Sequence, residues 1–284
     1  MNIIKQDEFN RVYETDLPSL VTMLSVELDD DHRAVSKMVK GSYGSGKNAR
    51  KSEDWDDGVN LPQYLDMLRD GWPEGARRMQ QLAAANPPAA QNAAAMRYVH
   101  DYAGQRPDVP RYIGGDMRSM IRRGSEFTPN PVRSIAFQLS ASWTVKAKDM
   151  IGRSLAYCEM VDALDAQGID CDVYGLWCWE KDGRKTSVLV KLKSAGQHVQ
   201  REVFAATLGH PCFLRRLGFR WQECEPDRWP SWGDHPTDKN YLAQLDLDDS
   251  PYLPDGVDVY SISCGRLDDC RAELANQEPV RCPT

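Results

Sequence analysis

The feature that most constrains this chain is the order of secondary-structure patterns between residues 133 and 193. Arg133–Leu139 is a short apolar run typical of a strand, and Lys146–Gln167 repeats apolar residues at helical spacing. Two further strands are predicted at Cys171–Trp179 and Ser187–Lys193, separated by Asp182-Gly183, a pair that favours a tight hairpin. The helical crossover makes the first two strands parallel, whereas the hairpin makes the third strand antiparallel.

The same kind of pattern continues toward the carboxyl end of the chain. We predict a helix over Val199–Leu217 that is interrupted at Gly209-His210-Pro211, a strand over Val257–Ser263 and a helix over Leu267–Ala275. These elements together predict an α/β fold with an open, mixed and mostly parallel sheet, which we assign to a domain of residues 131–284.

The first 130 residues predict helices and loops. A short helix is expected over Phe9–Met23, and another helix opens at Leu61 with Asn60 as its N-cap. The alanine-rich stretch Ala83–Ala95 contains two prolines, which predicts the end of one helix and the start of the next. Residues 1–130 are therefore predicted to be an added N-terminal helical region.

Composition excludes several classes of protein. The 284 residues are 41% apolar, carry a formal charge of −7 and include no apolar run long enough to span a membrane. The start lacks the apolar core of a signal peptide, and the eight cysteines form no C-x-x-C pair, so we expect a cytoplasmic protein without a membrane partner. The acidic balance argues against nucleic-acid binding. Arginines at 111–123 and at 215–220 are interpreted as solvated helix faces.

Two serines follow the first strand of the predicted α/β domain. They lie in Gln138-Leu139-Ser140-Ala141-Ser142, at the carboxyl end of a strand, where ligands gather in open α/β sheets. The segment resembles the Asp-x-Ser-x-Ser loop of von Willebrand factor A domains, in which a carboxylate and two hydroxyls bind Mg²⁺. Gln138 replaces the carboxylate, so the resemblance implies a degenerate metal site at Gln138, Ser140 and Ser142 that binds Mg²⁺ weakly or not at all.

An alternative role for Ser140 and Ser142 is to cap the helix that begins near Thr144. A second carboxylate for a metal would come from a later loop, where Asp227 and Asp234 are candidates by position alone. The resemblance to von Willebrand factor A domains covers roughly residues 131–265 and includes the order of strand, long helix, strand and antiparallel strand. Such domains in general imply partner binding rather than catalysis.

Three other segments resemble a family of uncharacterised proteins encoded by tailed bacteriophages. They are Asp70–Gly75, Pro107–Asp116 and His210–Arg216. This resemblance implies a protein that acts in the cytoplasm of the infected host cell.

A glycine-rich segment has the spacing of a phosphate-binding loop up to its lysine. It reads Gly41-Ser42-Tyr43-Gly44-Ser45-Gly46-Lys47-Asn48, with Asn48 where a Ser or Thr would bind Mg²⁺. The residues before it are a poor strand and those after it lack an apolar stripe, so we interpret the segment as a flexible loop. The alternative function is a phosphate-binding or nucleotide-binding enzyme that uses Gly41, Gly46 and Lys47.

The tryptophans fall in two settings. Trp177 and Trp179 alternate along a predicted strand and are expected in the core. Trp221, Trp229 and Trp232 lie in an irregular, proline-rich span, where they are candidate anchors for a protein partner.

These patterns favour a non-enzymatic protein-interaction module over an enzyme. The expected partner is a host protein, another phage protein or an ATPase of the AAA+ type. Apart from the weak Mg²⁺ site, the sequence predicts no cofactor.

Overall fold

The structure is a computed structural model of the 284-residue chain. It describes residues 2–6, 10–25, 53–87, 98–104, 106–123, 131–139, 145–181, 184–218, 220–221, 256–262 and 265–279.

Six strands form the main sheet. In chain order they are β1 (Asn2–Gln6), β2 (Asn10–Asp16), β6 (Val132–Gln138), β7 (Asp170–Lys181), β8 (Arg184–Lys193) and β9 (Val257–Tyr260). Their order across the sheet is β1-β2-β8-β7-β6-β9. The numbers β3 to β5 belong to a separate small sheet.

The directions of the central strands confirm the predicted crossover. Strand β6 runs parallel to β7 on one side and parallel to β9 on the other, while β7 and β8 are antiparallel. The mixed α/β class is therefore confirmed. Because β6 has parallel neighbours on both sides, its carboxyl end lies at a switch in connectivity, where open sheets of this kind bind ligands.

The prediction of one helix over Phe9–Met23 is wrong in its first half. Asn10–Asp16 is strand β2, which pairs in parallel with β8, and only Leu17–Ser25 is helical. Val12 and Tyr13 are adjacent and both buried, in the clusters on opposite faces of the sheet, as a strand covered on both faces requires. The helix starts after Asp16, whose carboxylate accepts a hydrogen bond from the Ser19 backbone N–H at 2.7 Å.

Eight α-helices are described along the chain. They are α1 (Leu17–Ser25), α2 (Glu53–Asp56), α3 (Leu61–Asp70), α4 (Pro73–Ala85), α5 (Val109–Ile113), α6 (Ala147–Ala166), α7 (Arg201–Phe204) and α8 (Leu267–Asn276). Two π-helical turns, Ala205–Gly209 and Phe213–Leu217, follow α7.

Several helix ends agree with the sequence. The Asn60 side chain accepts from the Gln63 backbone and the Gln63 side chain accepts from the Asn60 backbone, so the predicted N-cap of α3 is a full capping box. Helix α6 covers nearly the whole of the predicted Lys146–Gln167 range. Within the described ranges, no helix combines the length and the apolar character that crossing a bilayer requires.

The core lies on both faces of the main sheet. Successive residues of a strand face opposite sides of the sheet. Ile135 and Phe137 of β6 belong to the larger cluster with α6, whereas Ala136 belongs to a smaller cluster with Val257 and Val259 of β9. Phe137 stacks on Tyr157 of α6 with ring centroids 4.0 Å apart. Leu20 of α1 and Leu65 of α3 are in the larger cluster too. The proposed boundary at residue 130 stays a prediction.

The small sheet forms from residues 98–123. Its strands are β3 (Tyr98–Asp101), β4 (Arg106–Pro107) and β5 (Met120–Arg123), with β5 in the centre and both pairings antiparallel. Helix α5 lies between β4 and β5 in the chain. We call residues 98–123 the arm.

Candidate functional site

The predicted metal loop lies at the carboxyl end of β6. Gln138 is the last residue of the strand and is buried. Because Phe137 packs on α6, alternation along the strand directs the Gln138 side chain to the opposite face of the sheet. Ser140 and Ser142 lie outside the described residues, so their hydroxyls stay a prediction.

Two buried guanidinium groups hold the two ends of this loop. Arg153, in the second turn of α6, donates from an Nη atom to the Leu139 carbonyl oxygen at 3.3 Å. Arg215, in the second π-helical turn, donates to the Val145 carbonyl oxygen at 2.6 Å. Both side chains are almost fully buried, with 1% and 0% exposure. The segment between Leu139 and Val145 is thus bracketed by two positive charges that come from different elements.

Gln138 is the one described residue of the predicted metal site, so weak Mg²⁺ binding or none stays a prediction. Mg²⁺ prefers oxygen ligands that include carboxylates, whereas this loop begins at a neutral Gln138 amide. Across the part of the chain that the structure describes, no three His, Cys, Asp or Glu side chains come together as a metal site. The candidates Asp227 and Asp234 lie outside that part.

A second group of buried polar residues surrounds the break between the π-helical turns. We call residues 204–218 the hub segment; every one of them is buried. The predicted interruption at Gly209-His210-Pro211 is confirmed, because the two turns end and restart around His210. π-Helical turns are rare and often mark functional or strained positions.

His210 is held between aromatic rings contributed by α3 and by the residue before α4. Its ring centroid lies 5.0 Å from that of Tyr64 and 4.6 Å from that of Trp72, the latter in an edge-to-face arrangement. Nδ1 accepts the Cys212 backbone N–H at 3.1 Å, and Nε2 has no hydrogen-bond partner among the described residues. Burial, and to a lesser extent the charge of Arg78, lowers the pKa of His210 to about 3. His210 is therefore a neutral packing residue.

Two of the three segments that resemble phage proteins meet at this point. Trp72 of Asp70–Gly75 contacts His210 of His210–Arg216. A Cβ atom at Gly75 would lie 2.1 Å from Cε3 of Trp72, so the ring occupies the space that only glycine leaves free. The third segment, Pro107–Asp116, lies in the arm.

Arg216 fastens the hub segment to α2 and the turn after it. Its guanidinium forms a fully buried ion pair with Asp56, and its Nε donates to the Val59 carbonyl oxygen at 3.0 Å. The Cys212 thiol donates to the Asp56 carbonyl oxygen at 3.4 Å, and burial raises the pKa of this thiol well above its usual value. Cys212 is thus a protonated structural thiol.

The interpretation of Arg215, Arg216 and Arg220 as a solvated helix face is wrong. All three are buried, at 0%, 0% and 2% exposure. Helical spacing gave no signal of this burial, because Phe213, Leu214, Leu217 and Trp221 fall on one side of a helix and leave the arginines on the other. Arg153 was missed for a different reason, since a single arginine in a long helix has no distinguishing pattern.

The remaining predicted site residues are not brought together. Gly41, Gly46 and Lys47 lie outside the described residues, and so do Trp229 and Trp232. The nucleotide site therefore stays a prediction. Trp221 is fully buried and packs edge-to-face on Tyr13 with ring centroids 5.1 Å apart, which corrects its interpretation as a surface anchor. Trp177 is buried and packs on Phe213, as expected for a core residue.

The arm is organised by polar contacts of its aspartates. Asp108 caps α5 by accepting the Arg111 backbone N–H at 3.3 Å and also lies 2.9 Å from Nε2 of His100. These two hydrogen bonds, first the backbone one, lower the pKa of Asp108. Asp116 pairs with Arg111 at 3.0 Å, and the Arg118 guanidinium lies 5.4 Å from the centroid of the Tyr102 ring. The segment between β4 and β5 is thus stabilised by the N-cap of α5 and by the ion pair of Arg111 with Asp116.

The apolar residues of the arm face solvent. Of the eight large hydrophobic residues that are exposed in the described part of the chain, five lie between positions 102 and 117. They are Tyr102, Val109, Tyr112, Ile113 and Met117. Exposure reaches 71% for Tyr112, 79% for Ile113 and 77% for Met117, and neither described core cluster includes a residue of the arm. Exposed apolar residues that are concentrated in one segment mark an interaction site more often than scattered ones do.

The sequence reasoning did not identify this surface. The segment Pro107–Asp116 stood out only as a resemblance, although Val109, Tyr112 and Ile113 have the i, i+3, i+4 spacing of a short helix. The available signal was composition: residues 98–123 contain five arginines, three aspartates and no lysine or glutamate, in a chain of net charge −7.

Comparisons with known proteins assign the chain to a family. A search of the curated proteins gives no match, and a search of solved structures gives none either. Residues 4–254, which include the arm, the hub segment and both loop-holding arginines, match the family described as Domain of unknown function (DUF7192). The chain belongs to this family.

Proposed function

We propose that this chain is a non-enzymatic protein-interaction module that binds its partner through the arm. The observation that carries this proposal is the exposure of Tyr102, Tyr112, Ile113 and Met117 in the arm, which shares no residue with the described core clusters. A three-stranded sheet with strands of four, two and four residues buries little by itself. A partner that covers these side chains removes them from water.

The chemistry of the arm fits a protein with an acidic, apolar surface. Tyrosine and arginine are the residue types that dominate protein interfaces, and the arm is rich in both. With five arginines and three aspartates it is basic on an acidic chain. Nucleic acid fits less well, because the remainder of the chain is acidic and repels phosphates.

The buried cysteines and histidine around the main sheet support a scaffold role for this part of the chain. The thiols of Cys158 and Cys212 are buried, and burial raises the pKa of each, which disfavours the nucleophilic thiolate. His210 is neutral, inaccessible and enclosed by aromatic rings. These are residue types from which catalytic sites are built, and each has a packing role here.

The main sheet is further proposed to be a von Willebrand factor A-like core. Support comes from the order β8-β7-β6-β9, in which β8 alone is antiparallel to its neighbour and α6 follows β6. Encoding by a tailed phage, action in the host cytoplasm, and a host protein, phage protein or AAA+ ATPase as partner belong to the same proposal. They rest on the sequence resemblance.

The experiment is a quantitative co-purification that compares three tagged chains. The wild-type chain, Tyr112→Ser/Ile113→Ser and the control Val132→Ser are produced in phage-infected bacteria, and co-purifying proteins are quantified by mass spectrometry. Val132 is 57% exposed but lies on β6, outside the arm. We expect a protein that is retained by the wild type and the control and is lost by the arm variant.

Two outcomes would overturn the proposal. One is that every protein recovered with the wild type is recovered equally with Tyr112→Ser/Ile113→Ser. The other is that retention on the wild type disappears after nuclease treatment, which would identify nucleic acid as the ligand.

A further inference from the structure

We propose that Arg106 is the residue with which the arm selects its partner, by pairing with a carboxylate that the partner presents beside an apolar side chain. Arg106 lies on β4 and is exposed. This inference rests on the proposed function, because it concerns the same surface. It adds one specificity-determining residue and the chemistry that this residue recognises.

The first support is that the acids of the arm are engaged inside it. Each of the three aspartates accepts a hydrogen bond from a backbone N–H of the arm, at 2.7 Å for Asp101, 3.3 Å for Asp108 and 2.9 Å for Asp116. Asp108 also contacts His100. The carboxylates of the arm therefore stabilise its turns and its short helix.

The second support is that Arg106 differs from the other arginines of the arm whose side chains are described. Arg111 pairs with Asp116, and the Arg118 guanidinium lies over the Tyr102 ring. The side chain of Arg106 forms neither a hydrogen bond nor an ion pair with any described residue. A guanidinium presents its donors in a planar fork that fits a carboxylate through two parallel hydrogen bonds. Of these three arginines, Arg106 is therefore the one available to a carboxylate from another molecule.

The third support is the face of the small sheet to which Arg106 belongs. Arg106 and His100 both lie opposite Ile121 of β5, so the three side chains share one face of the sheet. Asp108, the N-cap of α5, contacts His100 and hence lies on this face too. The Arg106 side chain and the first turn of α5 are thus on the same side of the arm.

Arg106 is also close to the exposed apolar residues of α5. Val109 follows it by three residues, so their Cα atoms are at most about 11 Å apart, and the helical rise from Val109 to Ile113 adds about 6 Å. A partner of ordinary size covers roughly 800 Å² of surface on each side of an interface. One such footprint is wide enough to include both the guanidinium and the apolar residues.

Pro107 limits how a partner can reach this edge of the arm. Strand β4 is an outer strand of the small sheet, and outer strands can take up an extended segment through backbone hydrogen bonds. Pro107 has no N–H to donate, so one of the two residues of β4 offers no backbone donor. This favours recognition by the Arg106 side chain over strand addition at β4.

The test uses a library of random dodecapeptides displayed on yeast as the probe. Peptides are selected on the wild-type chain, and those that Tyr112→Ser/Ile113→Ser also retains are removed, which leaves the arm-dependent ones. The most enriched peptide is synthesised, and its Kd is measured for the wild type, Arg106→Gln, Arg106→Lys and the control Arg266→Gln. Arg266 is likewise exposed and has no side-chain partner among the described residues, but it lies before α8, outside the arm.

We expect the arm-dependent peptides to be enriched in Asp or Glu close to an aromatic or aliphatic residue. The Kd should rise about tenfold in Arg106→Gln and less in Arg106→Lys, which keeps the charge but not the fork, and it should be unchanged in Arg266→Gln. Added salt should weaken binding to the wild type more than binding to Arg106→Gln.

Two results would separate this inference from the function on which it rests. Arm-dependent peptides that lack an acid, or that bind Arg106→Gln as tightly as the wild type, would overturn the role of Arg106 and leave the proposed function standing. A selection in which no peptide depends on Tyr112 and Ile113 would contradict the proposed function, and the role of Arg106 with it.

Discussion

The hub segment and the arm depart in opposite ways from the usual pattern of apolar residues inside and charged residues outside. The hub segment, residues 204–218, buries a histidine and two adjacent arginines inside the main core. The arm, residues 98–123, leaves two tyrosines, an isoleucine and a methionine in water. Both regions contain a segment that resembles the phage protein family. The hub segment is unusual for its buried charge, and the arm is unusual for its exposed apolar surface.

This contrast separates residues that hold the fold from residues that are free to bind. A buried charge costs free energy unless it is paired, and His210, Arg215 and Arg216 of the hub segment each form at least one hydrogen bond with surrounding backbone. An exposed apolar side chain contributes little to the fold and gains stabilisation only when a partner covers it. Changes in the hub segment should therefore alter stability, and changes in the arm should alter binding.

The largest effect is expected from breaking the buried ion pair. Arg216→Met leaves Asp56 buried without its guanidinium, and removal of one partner from such a pair costs about 3–5 kcal/mol. Chemical denaturation measures the loss. The matched control is Arg201→Met, which breaks a partly exposed pair with Asp162 and is expected to cost at most about 1 kcal/mol. Equal losses in the two variants would show that the hub segment is not under this constraint.

A smaller loss is expected at Gly75. The added methyl of Gly75→Ala overlaps the Trp72 ring, which is held between His210 and the Arg78 guanidinium at 5.4 Å and has little room to move. Overpacking of this kind costs about 3 kcal/mol. Gly265→Ala, where a Cβ atom meets nothing within 4 Å, is the control in thermal and chemical unfolding. A Gly75→Ala protein as stable as this control would contradict the packing described for Trp72.

The histidine of the hub segment should make the fold sensitive to acid. Its pKa is about 3 in the folded chain and near 6.5 when unfolded, so the unfolded state binds the proton more tightly. The folded chain keeps its full stability above pH 6.5, where His210 is neutral in both states. It loses stability progressively as the pH falls toward 3, because the unfolded chain takes up the proton first. Between pH 7 and pH 5 the loss is about 2 kcal/mol from this group.

The comparison that isolates this group uses His210→Gln. Unfolding free energies of the wild type and of this variant are measured at pH 7 and at pH 5. The wild type should lose more stability than the variant over this interval, whatever their difference at pH 7. Identical pH dependence would mean that His210 takes up its proton as easily in the folded chain as in the unfolded one.

The smallest effect on stability is expected in the arm. Tyr112→Ser and Ile113→Ser replace side chains that are 71% and 79% exposed, so each should change the free energy of unfolding by no more than about 0.5 kcal/mol. Circular dichroism during thermal unfolding checks this. A loss comparable to that of Gly75→Ala would show that these residues belong to the packing of the fold.

The sequence predicted the central α/β unit well because its signals are local. The periodicity of Ala147–Ala166, the Asp-Gly hairpin and the Asn60 cap each depend on residues within a few positions, and the observed element bounds agree with them within about three residues. The position of β2 beside β8 was not predicted. Residues 10–16 pair in parallel with residues 185–191, which are far away in the chain, and such a pairing has no local sequence signal.

The candidate sites were harder to predict because burial decides their meaning. Arg215 and Arg111 look alike as members of arginine clusters, yet Arg215 is buried in the core and Arg111 is exposed on the arm. Trp221 looks like a surface anchor in a proline-rich span, and it is packed on Tyr13. Only tertiary packing assigns each of these side chains to the inside or the outside.

The most direct test of the central claim is hydroxyl-radical footprinting of the arm in the partner complex. The protein recovered by co-purification is purified, and oxidation of Tyr102, Tyr112 and Met117 is measured with and without it, with the exposed Val132 peptide as internal reference. The account predicts strong protection of these three residues and unchanged oxidation of the reference. Equal oxidation of the arm in the free and bound chain, while the partner stays bound, would contradict it.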